Sequence, residues 1–252
     1  IGVRLVGSEM CIRDSFKTML TGRPGPVGID VPLNCFAEEA EVEVPEPGLW
    51  RKGIRSGGSG TPESTEQALE MLLAAEKPCI LAGNGAMISE AGKEIQKLSK
   101  LLGIPVATTA NGKGIIPEDN PLSLGVIGRN GTYMANESCR SCEVLLAVGA
   151  KFDDRQSSSW IPGYSFNIPP TQLIHVDIDP EELGRNYPPT LGIQADAKSF
   201  MGELCRVADL KIKKTSDSTD SWLNEIRNWR DCLLYTSPRP RDGHLSRKPS
   251  CG

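Results

Sequence analysis

The sequence lacks the features that mark membrane, secreted and nucleic-acid-binding proteins. It has no excess of positive charge, since 28 Lys and Arg stand against 32 Asp and Glu and the formal net charge is −4. Nucleic acids and anionic membranes are bound through clustered cations, so we expect neither as a partner. The longest clean apolar stretch, residues 144–148, is far shorter than the roughly 20 residues that span a bilayer. No secretory signal is visible, and we expect a cytoplasmic protein.

Metal and disulfide sites also lack suitable residues. The sequence has eight Cys and two His, and the Cys spacing shows no disulfide framework. Cys139 and Cys142 form a CxxC pair, but without a second pair or nearby His a zinc site has no ligand set. We expect reduced, structural thiols, with a redox role for this pair as the alternative.

What the sequence does contain is an alternation of strands and helices. Helices are predicted from Thr61, over Ile88–Leu102 and over Ala197–Leu210. Short β-prone apolar runs lie between or beside them, at 79–82, 104–108, 144–148, 173–178 and 191–194. Strands bounded by helices at this spacing predict an α/β fold with a doubly wound, mainly parallel sheet and helices on both faces.

The region before residue 61 differs in character. Val27, Ile29 and Val31 alternate between prolines in residues 24–32, which predicts a short strand. Residues 35–60 are rich in Glu, Gly and Ser and have the composition of a solvated linker. We therefore expect a domain boundary in this segment.

Parallel sheets bind ligands at the carboxyl ends of their strands, and glycines or charges follow two of the predicted strands. Gly83-Asn84-Gly85 either lets a phosphate approach the backbone or is a plain tight turn. Lys151 and Arg155 bracket two acids, so the loop either contacts phosphate or neutralises its own charge at the surface.

Acidic residues follow a third strand, at 173–178. Asp177 is suited to bind a ribose hydroxyl. Asp179 precedes Pro180 and has Glu182 three places on, which predicts a helix N-cap, with a two-carboxylate metal site as the alternative. His175 is expected to be a hydrogen-bonded residue of the buried strand rather than a base, and no catalytic triad can be argued from the spacing.

Two groups of aromatic residues are expected to pack rather than react. Residues 160–166 contain Trp160 and Tyr164 and predict a packed loop, with stacking on a planar ligand as the alternative. Trp222, Ile226 and Trp229 have helical spacing and are expected in a core or a docking face.

Five longer segments carry a family resemblance: GRPGPVGIDVP (22–32), GIPVATT (103–109), PLSLGVIGRNGT (121–132), VLLAVGAKFDDR (144–155) and LIHVDIDPEELGRN (173–186). In order and spacing they are similar to the catalytic subunit of the acetolactate (acetohydroxyacid) synthase family, which uses thiamine diphosphate. The resemblance spans about residues 16–210.

This resemblance implies a division of the chain. Enzymes of this family have a pyrimidine-binding, a central and a pyrophosphate-binding module. The implied parts are the tail of the pyrimidine-binding domain (16–34), a linker (35–60), the central domain (61–210) and the start of the connection to the third domain (211–230). Residues 1–15 and 231–252 resemble translated sequencing-adapter sequence, and we exclude them from the fold.

The resemblance also implies a ligand, because the central module of this family holds FAD or an ADP-like nucleotide in a structural, non-redox role. The contacts carried over are Gly83, Asn84, Gly85, Thr109, Gly128, Arg129, Asn130, Lys151, Asp153, Arg155, Asp177, Ile178 and Asp196. Two segments depart from the family pattern. Gly128–Thr132 reads GRNGT where GMHGT is common, and Lys151 stands where the family has Arg, which keeps the charge but loses the planar fork.

No catalytic or metal-binding residue is expected in this chain. The activating glutamate of the family would precede residue 16, and the GDG motif that holds Mg²⁺ and thiamine diphosphate does not occur. The cofactor supplies the carbanion chemistry in such enzymes while the protein positions it. This stretch alone is therefore expected to be inactive.

The parent enzyme is expected to decarboxylate pyruvate and condense the product with a second 2-oxo acid, in branched-chain amino-acid biosynthesis. Two alternatives stay open: another thiamine-diphosphate decarboxylase or carboligase, and a nucleotide-binding module without catalysis. The resembled enzymes assemble as homodimers or homotetramers, with or without a regulatory subunit.

Overall fold

A computed structural model of the chain describes residues 12–37, 39, 41, 57–211 and 219–236. The chain divides into two compact units, residues 1–57 and 58–252. Most of the predicted linker and of the two adapter-like segments lies outside the described residues. The expected domain boundaries therefore stay predictions.

The described residues of the first unit contain little regular structure. Residues 12–20 are helical, Leu33–Phe36 form a 3₁₀ helix, and residues 24–32 have no assigned secondary structure. The strand predicted over 24–32 is thus wrong. Ile29 and Val31 are exposed, and among the described residues of this unit the alternating pattern has no sheet on which to pack.

The second unit contains a parallel sheet with helices before, between and after its strands. Its helices are α1 (Pro62–Ala74), α2 (Asn84–Ile88), α3 (Gly92–Leu102), α4 (Tyr133–Ser141), α5 (Ala197–Lys211) and α6 (Asp220–Thr236). Its strands are β1 (Pro78–Ala82), β2 (Val106–Thr108), β3 (Ser123–Val126), β4 (Val144–Val148), β5 (Gln172–Asp177) and β6 (Leu191–Gln194).

All six strands are parallel, in the order β3-β2-β1-β4-β5-β6. The chain adds strands outward from β1 in one direction and outward from β4 in the other. β1 and β4 are therefore the topological switch point of a doubly wound sheet. The predicted fold class is confirmed.

The core lies on both faces of the sheet because neighbouring residues of a strand face opposite sides. Ile80, Leu146 and Ile174 belong to the apolar cluster that includes residues of α1, α3 and α5. Leu81 and Leu145 belong to a second cluster, with residues of α4 and α6. A strand buried on both faces must be apolar throughout, as β1 and β4 are.

Local signals explain where two helices begin or end. Thr61 caps α1: its side chain accepts a hydrogen bond from the Ser64 amide, and the Ser64 hydroxyl oxygen accepts one from the Thr61 amide. Pro62 occupies the first turn, where no amide donor is needed. Gly103 ends α3 with φ +65°, in the left-handed conformation that glycine adopts without strain.

Helix α6 packs against the sheet through side chains of its buried face. Trp222 is buried and its Nε1 donates to the carbonyl oxygen of Pro78 at 3.1 Å. Arg230 donates to the carbonyl oxygens of Pro121 and Ser123, at 3.0 and 2.6 Å, at the start of β3. The aromatic spacing at Trp222 and Trp229 thus belongs to a helix with a buried face.

Several predicted boundaries need correction. The helix expected over 88–102 begins at Gly92, because the turn after β1 first forms the one-turn helix α2. The strand expected over 104–108 begins at Val106. Asp179 does not cap a helix: its side chain accepts a hydrogen bond from the Glu181 amide within a turn. Strand β3 and helix α4 were not predicted.

Candidate functional site

The expected nucleotide contacts all lie at one edge of the sheet. Because the six strands are parallel, their carboxyl ends and the turns that follow them meet at this edge, which we call the carboxyl rim. Gly83, Asn84 and Gly85 follow β1, and Thr109 follows β2. The remaining contacts are Gly128, Arg129 and Asn130 after β3, Lys151, Asp153 and Arg155 after β4, Asp177 and Ile178 at the end of β5, and Asp196 after β6.

At the switch point the glycines of two turns pack backbone against backbone. The amide of Gly83 donates to the carbonyl oxygen of Val148 at 2.9 Å, and that of Gly85 to Gly149 at 3.0 Å. A Cβ atom on Gly83 would lie 2.1 Å from the Gly149 oxygen. Both amides are thus used within the protein. Because Gly83 and Gly85 have no side chains, the backbone of the turn after β4 can pack directly against them. The plain-turn interpretation of these two glycines is therefore the better one.

The turn after β3 is fastened to helix α4 and to the loop after β4. The Gly128 amide donates to Asn136 Oδ1 at 2.9 Å, and Asn136 Nδ2 donates to the Gly128 carbonyl oxygen at 3.0 Å. The Arg129 amide donates to the carbonyl oxygen of Arg155 at 3.1 Å. Sequence reasoning missed Asn136, although its place one turn after the Thr132 cap was a signal of a helix that faces this turn.

In the loop after β4, the side chain of Asp153 is hydrogen-bonded within the loop, whereas those of Lys151 and Arg155 are exposed. Asp153 accepts hydrogen bonds from the amides of Arg155 and Gln156, at 3.0 and 2.9 Å, so its carboxylate caps a turn. Lys151 and Arg155 are exposed. Within the described part of the chain neither side chain forms an ion pair. An anion at the rim would therefore find two uncommitted cations here.

Three further expected contacts have structural partners. Thr109 is buried, and its hydroxyl accepts a hydrogen bond from the Gly112 amide. Asp196 caps α5 by accepting from the Ser199 amide at 2.9 Å, and its other oxygen accepts from the Ser89 hydroxyl at 2.8 Å.

Arg129 contacts Ser159 and lies 3.6 Å from a carboxylate oxygen of Asp154. Asn84 and Asn130 are exposed beside these groups.

Two titratable residues of β5, His175 and Asp177, lie on the same face of the strand and have different hydrogen-bond partners. Asp177 is 8% exposed, and burial raises the pKa of its carboxyl above the ordinary 3.8. One of its oxygens accepts from the Asp179 amide at 3.0 Å. His175 is 2% exposed, and its Nε2 donates to the Ala150 carbonyl oxygen at 2.9 Å. Burial is the main cause that lowers the pKa of His175 from its ordinary 6.5. This environment fits the expected core role of His175.

We expect the protein to lose stability as the pH falls below about 6.5, because the unfolded chain then binds a proton at His175 before the folded protein does. The folded pKa of His175 lies below its unfolded value, so this stabilisation is complete above that pH and disappears as the pH falls through the folded pKa. The raised pKa of Asp177 acts in the other direction at more acidic pH, where its protonation favours the folded state.

Urea unfolding between about pH 7.5 and about pH 5.5 measures this effect. The His175→Gln variant should have a smaller fall in the free energy of unfolding over the same range. Equal falls in the two proteins would show that His175 does not cause the pH dependence.

The opposite edge of the sheet holds a groove that does not contain the expected contacts. It has a volume of about 980 Å³ and is lined by residues that include Ala75, Arg140, Val144 and Gln172. Its charged groups are bonded within the protein, since Arg140 pairs with Glu137 and donates to the Gly163 carbonyl oxygen. We therefore take the carboxyl rim as the candidate site.

Metal and membrane sites receive no support among the described residues. In this part of the chain no three His, Cys, Asp or Glu side chains are grouped as metal ligands. A search of the same residues finds no helix with the length and apolar character of a membrane span.

Comparison with known proteins identifies a family. The model of the family described as "Thiamine pyrophosphate enzyme, central domain" matches residues 65–204. A probable acetolactate synthase large subunit of Methanocaldococcus jannaschii is 37% identical over 217 residues, which are 85% of this chain and 35% of that protein. The acetolactate synthase large subunit of Cyanidium caldarium is 36% identical over 238 residues, 93% of this chain and 40% of that protein.

A third relative, the acetolactate synthase of Arthrospira platensis, is 34% identical over 237 residues, 91% of this chain and 40% of that protein. The chain thus spans between about a third and two fifths of the length of these relatives. The family model covers more than half of the chain and coincides with the parallel sheet and its helices α1 to α5. The chain therefore belongs to the thiamine pyrophosphate enzymes and carries their central domain.

Proposed function

We propose that this chain is the central domain of an acetolactate synthase-like enzyme and that its carboxyl rim binds FAD or an ADP-like nucleotide. The similarity to acetolactate synthase large subunits supports the first part. The observation that carries the second part is that Lys151 and Arg155 are exposed at the carboxyl rim, beside the switch point, and form no ion pair with any residue that the structure describes. Doubly wound sheets bind nucleotides at this place.

The residues at the rim fit such a ligand. The diphosphate would be held by Lys151 and Arg155, because ionised donors form strong hydrogen bonds with phosphate oxygens. Asp177 is a buried carboxylate, and a ribose hydroxyl would supply it with a further donor. The glycine amides of the β1 turn take no part in this binding, since Val148 and Gly149 accept their hydrogen bonds.

In the whole enzyme this domain would hold the nucleotide in place and would not itself take part in the chemical reaction. Thiamine diphosphate, when bound elsewhere in the whole enzyme with Mg²⁺, supplies the carbanion chemistry that decarboxylates a 2-oxo acid and joins the product to a second one. The rim residues would fix the nucleotide, and the fixed nucleotide would order the turns around it. We infer a homodimer or homotetramer for the whole enzyme.

Titration calorimetry of the chain with ADP and with FAD tests the nucleotide site. We expect both ligands to bind, and the Lys151→Ala and Arg155→Ala variants each to bind about tenfold more weakly, because a charge-assisted contact is worth about 1.5 kcal/mol or more. Asp177→Asn should weaken ligands that carry a ribose and leave inorganic pyrophosphate unaffected.

Lys100→Ala is the matched control for these variants. Lys100 is exposed in the last turn of α3, at the amino edge of the sheet, so its loss should leave both affinities unchanged. If neither ADP nor FAD gave a heat of binding, the nucleotide site would be contradicted. Equal affinities of the rim variants and the wild type would also contradict it.

A further inference from the structure

Two thiols of different elements face each other inside the second apolar cluster. Cys79 lies on β1 and Cys139 on α4, and their sulfur atoms are 3.8 Å apart. Both side chains are fully buried. Sixty positions separate them along the chain, so their proximity results from the packing of α4 on the sheet.

The third thiol of this cluster hydrogen-bonds a backbone carbonyl oxygen and neither of the two facing sulfur atoms. Cys142 is also buried, but its Sγ donates to the carbonyl oxygen of Cys139 at 3.2 Å. The CxxC spacing therefore does not mark the pair of facing thiols. Closing the sulfurs of Cys79 and Cys139 from 3.8 Å to a disulfide bond length of about 2.05 Å needs a movement of about 1.8 Å.

We propose that Cys79 and Cys139 form an intramolecular disulfide by exchange with a low-molecular-weight disulfide such as oxidised glutathione. One Cys thiolate attacks the reagent, forms a mixed disulfide and releases one glutathione thiolate. The second Cys thiolate then attacks the protein sulfur of the mixed disulfide and releases the other. Two protein thiols are oxidised, one reagent disulfide is reduced, and the two protons pass to the released glutathione.

The native packing controls the rate of this reaction. The hydrogen bond with Cys79, followed by burial, raises the pKa of Cys139 well above its ordinary range. The thiol is therefore protonated while α4 is packed on β1, and only the thiolate attacks a disulfide. Exchange must wait for local opening of α4, whereas the exposed Cys35 needs no such opening.

The bond would connect two elements that carry turns of the carboxyl rim. β1 ends at the Gly83 turn, and Asn136 of α4 holds Gly128 by two hydrogen bonds. Oxidation would thus restrict movement of α4, and with it the turn after β3, independently of whether a nucleotide binds there.

Peptide mapping of the full chain tests the proposal. The protein is incubated with oxidised glutathione in urea just below its unfolding transition, free thiols are alkylated in denaturant, and the digest is analysed by mass spectrometry without reduction. We expect a peptide pair linked through Cys79 and Cys139, formed more slowly than the glutathione adduct of Cys35 and absent without the oxidant.

Single variants identify the partners. Cys142→Ser and Cys205→Ser should still form the linked pair, since neither thiol belongs to it. Cys139→Ser should instead leave Cys79 as a free thiol or a glutathione adduct. A disulfide formed through Cys142 in the wild type, in a tryptic digest that cleaves after Arg140 and so separates Cys142 from Cys139, overturns the proposal. Complete alkylation of Cys79 and Cys139 after Cys35 has reacted fully also overturns it, and this result needs no variant to fold.

Discussion

Gly83→Ala is expected to destabilise the domain by about 3 kcal/mol or more. The added Cβ would lie 2.1 Å from the Gly149 oxygen and 2.7 Å from the Ala150 Cα atom. Both of these are backbone atoms of the turn after β4, next to the central strand pair, so neither can yield without separating β1 from β4. Urea unfolding measures the loss, and an insoluble variant would be its extreme form.

Gly202→Ala is a matched control with the opposite expected sign. Gly202 lies within α5, and a Cβ atom there would meet no atom within 4 Å. Alanine is favoured over glycine in a helix interior by about 0.5–1 kcal/mol, so this variant should be slightly more stable than the wild type. Comparable stability of the Gly83 and Gly202 variants would contradict the backbone contact at the switch point.

Trp222→Ala is expected to cost about 3–5 kcal/mol, the usual range for truncating a buried aromatic side chain. The indole is 1% exposed and packs edge-on against Trp229, with ring centres 5.7 Å apart. Its Nε1 bond to Pro78 would also be lost. Since residues 65–204 alone match the family model, this loss would show that α6 is an integral part of the folded domain.

Arg227→Ala in the same helix is the control for Trp222. Arg227 is exposed, and its guanidinium bonds Asn224 one turn earlier, so the expected change lies within about 0.5 kcal/mol. Thermal and urea unfolding of the two variants should separate clearly. An equal effect of both changes would mean that α6 adds only its own helical stability.

Elements with a complete local signal could be predicted from the sequence. β4 was predicted to the residue, because a central parallel strand is buried on both faces and must be apolar throughout. The start of α1 followed from Thr61 and Pro62. Thr61 caps the helix by a hydrogen bond with Ser64, which is only three positions away. Such signals lie within a few residues of the element that they define.

Elements that depend on distant contacts could not be predicted in this way. The turn that separates α2 from α3 is held at Ser89 by Asp196, more than a hundred residues later. β3 is a four-residue edge strand that contains Gly125 at φ +85°, so it lacks the continuous apolar run of β4. The alternation of Leu122, just before the strand, with Leu124 and Val126 was nevertheless a usable signal.

The same distinction applies to the candidate site. Its location followed from the strand ends, because parallel strands bring their carboxyl ends to one edge. The roles of its residues did not follow. Gly83 accommodates Gly149, and Asp196 caps a helix. Of the charged residues expected to contact the nucleotide, Lys151 and Arg155 form no ion pair with any described residue.

The two hydrogen bonds from Arg230 also bear on aggregation of the protein through the exposed edge of β3. The carbonyl oxygen of Leu122 bonds the Val106 amide of β2, so those of Pro121 and Ser123 face away from the sheet. An unpaired row of this kind is a template on which another chain can add a strand and begin to aggregate. By occupying both oxygens, Arg230 of a helix beyond the family-matched region would block the start of the β3 edge against such growth.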